Sequence, residues 1–468
     1  MLVVFVHGWG VTNTSTYGVL PSVLAQAGTP DLALQVSDLY LSKYISFADE
    51  VSLDDLARAM QYAIQTEVWP RLQPGQRFAC ITHSTGGPLV RTWLELFYKH
   101  QLAASRLSHL IMLAPANHGS ALAQLGKGKL ARMKCFAEGI QPGLGVLNWL
   151  ELGSAQSWDL NRAWLDYACL DAGLYVFVLT GQTIDRQLYD HLNSYTGEAG
   201  SDGVVRVATT NLNYGLLELA QQGDKFTLLK HQQNDKYAFA ILPGLAHSGS
   251  ELGIMASVNE KQGRAHTTIA YTLQCLAVKS ASAYKKLCKS FDAVSQQTQQ
   301  QERLRKSSDV FLFEREFITS RYCMLVFKIS DDRNNQLDDY DLLLTAGPDY
   351  SENHLPQGFF VDRQRNQQNP GTLTYYLDYD KMADWLSQPQ LQGKLGFKLI
   401  ARPSSGYAYY VVAEHRSNFH SLKNYFAPNQ TLMISIQLTR HVSTGAFQLT
   451  QDLQAQSFKH QDKGGVVE

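Results

Sequence analysis

The sequence predicts an α/β fold, a mostly parallel sheet flanked by helices, followed by an antiparallel β-sandwich domain. Three observations carry that prediction. Short apolar runs alternate with helical apolar spacing over the first 276 residues, a polar and glutamine-rich segment interrupts the pattern at 279–308, and the remainder reads as strands between turn-prone segments. At 468 residues the chain is long enough for two or three folding units, each with its own core.

Leu2 to Val6 is a continuous apolar run ending at His7-Gly8-Trp9-Gly10, as expected of a strand buried on both faces. Ser52 and Asp55 can form a capping box ahead of Leu53, Leu56, Met60, Ile64 and Val68, which recur at helical spacing. The run Phe78 to Ile81 leads through Thr82-His83-Ser84-Thr85-Gly86-Gly87 into a helix with the stripe Leu89, Trp93, Leu96 and Phe97. Leu107 to Leu113, Leu174 to Leu179 and Tyr237 to Leu242 continue the strands. Between Ser120 and Asp171 several glycines precede Trp149, Trp158 and Trp164, which predicts an inserted cap over about 120–171; a pair of core helices joined by a loop fits the same residues. The first domain is placed at 1–278, a polar helical linker at 279–308, the β-sandwich at 309–455 and a flexible tail at 456–468. Strands of the second domain are expected at Tyr322 to Ile329, Leu342 to Thr345, Thr372 to Leu377, Leu395 to Ala401, Tyr407 to Ala413 and Thr431 to Leu438.

With 44% hydrophobic and 18% charged residues, the composition is that of a globular protein and excludes disorder, collagen or a membrane bundle. A formal net charge of −1 makes no case for a nucleic-acid partner. Six cysteines are scattered without a Cys-x-x-Cys pair, so neither a zinc site nor a redox motif is indicated and buried free thiols are expected. The amino-terminal run lacks the basic region of a signal peptide, and no stretch of about 18 apolar residues occurs. A chain made in the cytoplasm is expected, any export taking a signal-peptide-independent route.

The strongest chemical motif is Thr82-His83-Ser84-Thr85-Gly86, set between an apolar strand and an amphipathic helix. A serine on a sharp strand-to-helix turn exposes its hydroxyl, and the helix aims its first N–H groups at a developing oxyanion. Small neighbours are needed because backbones come close, and Gly86 and Gly87 meet that need. His7-Gly8-Trp9-Gly10 follows the first strand, Ala114-Pro115-Ala116-Asn117-His118-Gly119-Ser120 follows the strand after the serine helix, and Gly200-Ser201-Asp202-Gly203-Val204-Val205 offers an acid.

On these motifs, residues 1 to about 276 resemble bacterial lipases and phospholipases of the α/β-hydrolase superfamily. The last two segments are similar to their P-x-x-G-S and acid motifs, and Leu150-Glu151-Leu152-Gly153-Ser154 with Leu160-Asn161 is similar to a segment of their cap region. Thr82 departs from the family's usual glycine. The resemblance implies a triad in the order serine, acid, histidine: Ser84, Asp202 and His247, with Asp185 as a rival acid, Asp190 a weaker one, and His231 and His266 as competing bases. The amides of Trp9 and Thr85 are the oxyanion candidates. His83 and His7 are not expected to be bases. No cofactor or metal is implied, and His247-Ser248-Gly249-Ser250-Glu251 lacks the aspartate with which some such lipases bind calcium.

The expected activity is hydrolysis of lipid acyl esters through an acyl-enzyme, the Trp-bearing insertion serving as an apolar lid. A tyrosine-rich second domain suggests docking on a bilayer or a protein. The arrangement also resembles phospholipase effectors of type VI secretion, which would imply an immunity protein or secretion-apparatus partner. An acyltransferase, an esterase or thioesterase, and a non-catalytic binding protein on the same scaffold are the alternatives.

Overall fold

The computed structural model describes residues 1–7, 16–46, 48, 50–124, 143–184, 197–302, 304–307, 315–318, 320–403, 406–418, 425–443, 448–449 and 465–466. Its first part alternates strand and helix: β1 (Leu2–His7), α1 (Leu20–Gln26), β2 (Gln35–Tyr40), α2 (Leu53–Ala63), β3 (Phe78–His83), α3 (Gly86–Tyr98), β4 (Leu107–Leu113), α4 (Leu144–Leu150), α5 (Ala155–Trp164), β5 (Tyr175–Thr180) and α6 (Val207–Thr210). A hairpin, β6 (Gly215–Gln222) and β7 (Lys225–Gln233), precedes β8 (Ala238–Ile241), α7 (Thr267–Leu276) and α8 (Ala281–Glu302). Six of these strands form one parallel sheet in the order β2-β1-β3-β4-β5-β8. Every residue of β1 and β3 is buried, which is why they read as unbroken apolar runs rather than as alternation. This is the sheet of an α/β-hydrolase.

Local sequence chemistry explains the helices that matter to the site. Ser52 accepts from the Asp55 amide while the Asp55 carboxylate accepts from the Ser52 amide, completing the expected capping box of α2. The helix α3 buries Leu89, Val90, Trp93 and Leu94, whereas Leu96 and Phe97, placed in the stripe by sequence spacing, lie exposed in its last turns. The first part of α3 is enclosed on nearly every side, Arg91 included, whereas in its last turn only Tyr98 is buried.

After α8 come a short antiparallel pair, β9 (Leu304–Ser307) and β10 (Arg315–Ile318), then β11 (Tyr322–Asp331), β12 (Tyr340–Ala346), β13 (Phe360–Arg365), β14 (Thr372–Asp378), α9 (Tyr379–Leu386), β15 (Lys394–Ala401), β16 (Ala408–Tyr409), β17 (Ala413–Asn418) and β18 (Thr431–Leu438). The second sheet has nine strands in the order β12-β15-β17-β7-β6-β18-β11-β14-β13. It is mixed rather than wholly antiparallel, since β18 runs parallel to both β11 and β6. It also includes the hairpin β6–β7 from within residues 1–278. The alternation of β6 sends Leu216 to the first core and Leu217 and Leu219 to the second, so one sheet face closes the hydrolase core while the other builds its own. The segment expected as one strand over Tyr407 to Ala413 divides into β16 and the start of β17, leaving Tyr407, Tyr409, Val411 and Val412 exposed.

Residues 281–302, expected as a polar helical linker, are helical and also seated on β8: Tyr284 and Phe291 are buried in the hydrolase core, and the Ser295 hydroxyl accepts from the Ile241 amide at 2.9 Å. Polar residues there face solvent on one side of an amphipathic helix and do not mark a tether. Of the expected cap, residues 125–142 lie outside the described residues; the remainder includes α4 and α5, whose Trp149, Trp158 and Trp164 are buried in the hydrolase core. The expected tail lies outside the described residues except Gly465–Val466, which pairs with Gln448–Leu449. Cys80, Cys169, Cys275 and Cys323 are buried thiols, Cys288 is half-buried, and Cys135 lies outside the described residues. Among the described residues no helix is long and apolar enough to cross a membrane.

His109 on β4 is buried and bonded through Nε2 to the Val278 carbonyl at 2.8 Å, and burial pushes its imidazole down to about 4. The unfolded chain takes up that proton near pH 6.5 whereas the folded chain does not, so this residue lowers stability progressively as pH falls from about 6.5 to about 4. The full effect is about 3 kcal/mol. Replacing His109→Gln is expected to flatten the fall in unfolding free energy between neutral and mildly acid pH by roughly that amount. Denaturant titrations at several pH values check this, and identical pH slopes in the two proteins would contradict it.

Candidate active site

Ser84 sits between β3 and α3 with φ of 53°, a left-handed conformation that a residue with a side chain adopts only under constraint. Three backbone bonds hold it. Its amide donates to the Leu113 carbonyl at 3.0 Å, and its carbonyl accepts from Gly87 at 3.2 Å and Ala116 at 3.3 Å. The turn tolerates no bulk behind it: a Cβ on Gly87 would stand 2.6 Å from Pro115 Cβ, and one on Gly86 would stand 3.0 Å from Thr82 Cβ. Thr82 can replace the usual glycine because its side chain occupies the room that Gly86 leaves vacant.

Ser84 is half-buried, and its hydroxyl lies 3.1 Å from His247 Nε2. His247 Nδ1 lies 2.9 Å from Asp202 Oδ2, both residues being buried. Since a carboxylate can only accept, Nδ1 carries the proton there, which leaves Nε2 of the neutral ring free to accept from the serine. Asp202 is oriented in turn: its Oδ1 accepts from the amides of Val204 at 3.0 Å and Val205 at 2.8 Å, and its carbonyl accepts from the His247 amide at 2.9 Å. The three side chains arrive from loops after β3, β5 and β8, all at the carboxyl edge of the parallel sheet.

The competing histidines are engaged elsewhere. His231 is an exposed residue of β7 against the Tyr425 ring, and His266 caps α7, its Nδ1 accepting from Thr268 and its Nε2 contacting the Ser257 hydroxyl. Asp185 and Asp190 lie outside the described residues, as does Trp9. Thr85 is half-buried at the first turn of α3, directly after Ser84.

His7 and His83, which are not expected to be bases, end β1 and β3 and are buried. His7 Nε2 is 2.8 Å from Asp38 Oδ1, and its ring meets Tyr17 and Tyr40. His83 stands 4.6 Å from the His247 ring, centre to centre, and its Nε2 donates to the His247 carbonyl at 3.3 Å. Burial, reinforced by the neighbouring His247, pushes His83 well below the usual imidazole range, so it remains neutral.

The remaining motifs form scaffolding below the serine. Buried Arg91 of α3 donates to Asn117 Oδ1 at 3.2 Å and Asn161 Oδ1 at 2.8 Å and lies over the Trp164 ring. Asn117 Nδ2 donates to the Thr210 carbonyl at 2.7 Å. The Ser120 hydroxyl donates to the Val204 carbonyl at 2.7 Å, tying this segment to the loop that carries Asp202. Gly119 has a φ of +90°, and a Cβ there would stand 2.5 Å from the Leu150 carbonyl. Arg91 was missed because an arginine on an otherwise apolar helix reads as solvent-facing; its partners are distant in sequence.

No family model matches the chain, and a search of curated proteins gives no match. Two solved structures are similar over its full length. Phospholipase PlaB from Legionella pneumophila in complex with thio-NAD is 48% identical, with 100% of both chains covered and a TM-score of 0.89. A second structure of phospholipase PlaB from Legionella pneumophila is 51% identical, with 100% of this chain and 99% of that chain covered and a TM-score of 0.91. With a parallel hydrolase sheet, a serine on its strand-to-helix turn and this identity from end to end, the chain belongs to the PlaB family of phospholipases, carboxylic ester hydrolases of the α/β-hydrolase fold.

Proposed function

We propose that Ser84 is the nucleophile, His247 the general base and Asp202 the orienting acid of a hydrolase that cleaves acyl esters of membrane phospholipids. The observation that carries this reading is the unbroken bond chain from the Ser84 hydroxyl through the His247 ring to Asp202. As Ser84 Oγ attacks the ester carbonyl, His247 Nε2 takes the hydroxyl proton, and Asp202 stabilises the imidazolium. The tetrahedral oxyanion is held by the amides of Thr85 and Trp9. His247 returns the proton to the departing alcohol oxygen, leaving the acyl group on Ser84, and water, deprotonated by the same ring, releases the fatty acid.

This chemistry consumes only ester and water and needs no cofactor. The Legionella phospholipase has been solved with thio-NAD. Ester hydrolysis has no hydride step, so a dinucleotide on this chain would act as a ligand of the protein and not as a reactant. A membrane surface is the partner that a phospholipid substrate implies. An immunity protein or secretion apparatus rests only on the likeness to type VI effectors.

Fatty-acid release from phosphatidylcholine vesicles tests the reading. Ser84→Ala is expected to lower the rate by about a thousandfold or more while the protein stays folded. Turnover of soluble acetyl esters with no vesicle hydrolysis by the wild type would overturn the lipid assignment. Asp202→Asn is expected to lower kcat by about four orders of magnitude, and Asp185→Asn to leave it nearly unchanged. The reverse pattern would transfer the acid role to Asp185.

A further inference from the structure

The loop that carries Asp202 is closed at its base by a buried ion cluster that reaches into the second sheet. Arg206 is 2% exposed. It grips Glu198 with two bonds, Nε to Oε2 at 2.7 Å and Nη2 to Oε1 at 2.8 Å, so the residues on either side of Asp202 are joined. The same Nη2 donates to the carboxylate of Asp362 on β13. The guanidinium lies 4.1 Å from the centre of the Tyr376 ring on β14. The Tyr376 hydroxyl then donates to the carbonyls of Ala199 at 3.1 Å and Gly200 at 3.2 Å, the two residues just before Ser201 and Asp202. Gly200 has a φ of +74°, and a Cβ on it would stand 2.4 Å from Tyr322 and 2.5 Å from the Tyr376 hydroxyl, so loop and sheet meet without slack.

We propose that Arg206, Asp362 and Tyr376 are positioning residues that hold Asp202 against His247, making the carboxy-terminal sheet a working part of the active site. The inference rests on Asp202 being the triad acid. A charged group is used where an apolar contact would bury as well because an arginine between two carboxylates fixes distance and angle at once. The cluster is specific to the base of this loop: both ends of the segment 198–206 converge on one guanidinium, while Asp202 at its tip is free to serve the histidine. Loosening the base lets the carboxylate drift. The imidazolium then loses stabilisation, and the base is less able to take the serine proton.

The test uses full-length protein and a soluble p-nitrophenyl ester, so that membrane binding plays no part. Asp362→Asn removes one carboxylate and leaves Arg206 paired with Glu198; Tyr376→Phe removes only the hydroxyl that holds Ala199 and Gly200. Each is expected to lower kcat about 10- to 100-fold with KM changed less than about twofold, and to move the acid limb of the pH–rate profile to lower pH. Asp362→Glu is expected to recover part of the loss. Asp380→Asn, which breaks an ion pair between α9 and Arg321 just before β11, serves as a control expected to keep the wild-type profile. If Asp362→Asn fails to fold, Tyr376→Phe decides. Unchanged kcat and acid limb in the folded variants, with Asp202→Asn inactive, would overturn the positioning role alone. Full activity of Asp202→Asn would instead overturn the triad reading on which it rests.

Discussion

The constraint on which the structure depends is the left-handed backbone at Ser84. A residue with a side chain at φ of 53° costs about 1–3 kcal/mol, and it persists only where its neighbours leave no alternative. Here the neighbours are the end of β4, the loop that follows it and the first turn of α3. The Leu113 carbonyl holds the Ser84 amide, while Gly87 and Ala116 hold its carbonyl, so the turn is clamped from three directions. That clamp accounts for the glycines at 86 and 87, and Arg91 of the same helix ties Asn117 to Asn161. The hydroxyl then faces the one histidine that the β8 loop delivers.

A second level of organisation comes from sharing one sheet between two cores. The strand β11 alternates Met324 and Val326 toward the hydrolase with Cys323, Leu325 and Phe327 toward the second core. The β6–β7 hairpin leaves the hydrolase to join that sheet and returns to β8. Contacts at the base of the Asp202 loop, and those of Asn366 and Asn369 with the carbonyls of Leu152 and Gly153, continue the same interface. The carboxy-terminal part therefore does more than append a surface. It completes the wall against which the hydrolase loops are fixed.

How far this was legible in the sequence follows from which interactions are local. Strands β3, β4 and β18 were visible as apolar runs with nearly their observed limits, and the Ser52 capping box was read directly. Ser84, Asp202 and His247 were visible because each lies in a compact motif, although spacing alone did not separate Asp202 from Asp185. The hairpin β6–β7 carries a sequence cue, the two residues Gly223-Asp224 between its strands, but its place in the second sheet is set by distant partners, β17 and β18. The segment of α8 was read as helical, but its packing through Tyr284 and Phe291 was not, because glutamine and lysine dominate its sequence. The partnership of Arg206 with Asp362 could not be seen at all, since it joins residues 156 positions apart through burial.

The central claim, that a strained turn presents Ser84 to His247 as a nucleophile, is tested most directly by covalent trapping. A fluorophosphonate reacted with full-length protein and mapped by mass spectrometry is expected to modify Ser84 in a one-to-one ratio, and His247→Gln is expected to slow that reaction by about a thousandfold or more. Modification at another serine, or a labelling rate indifferent to His247, would contradict the account.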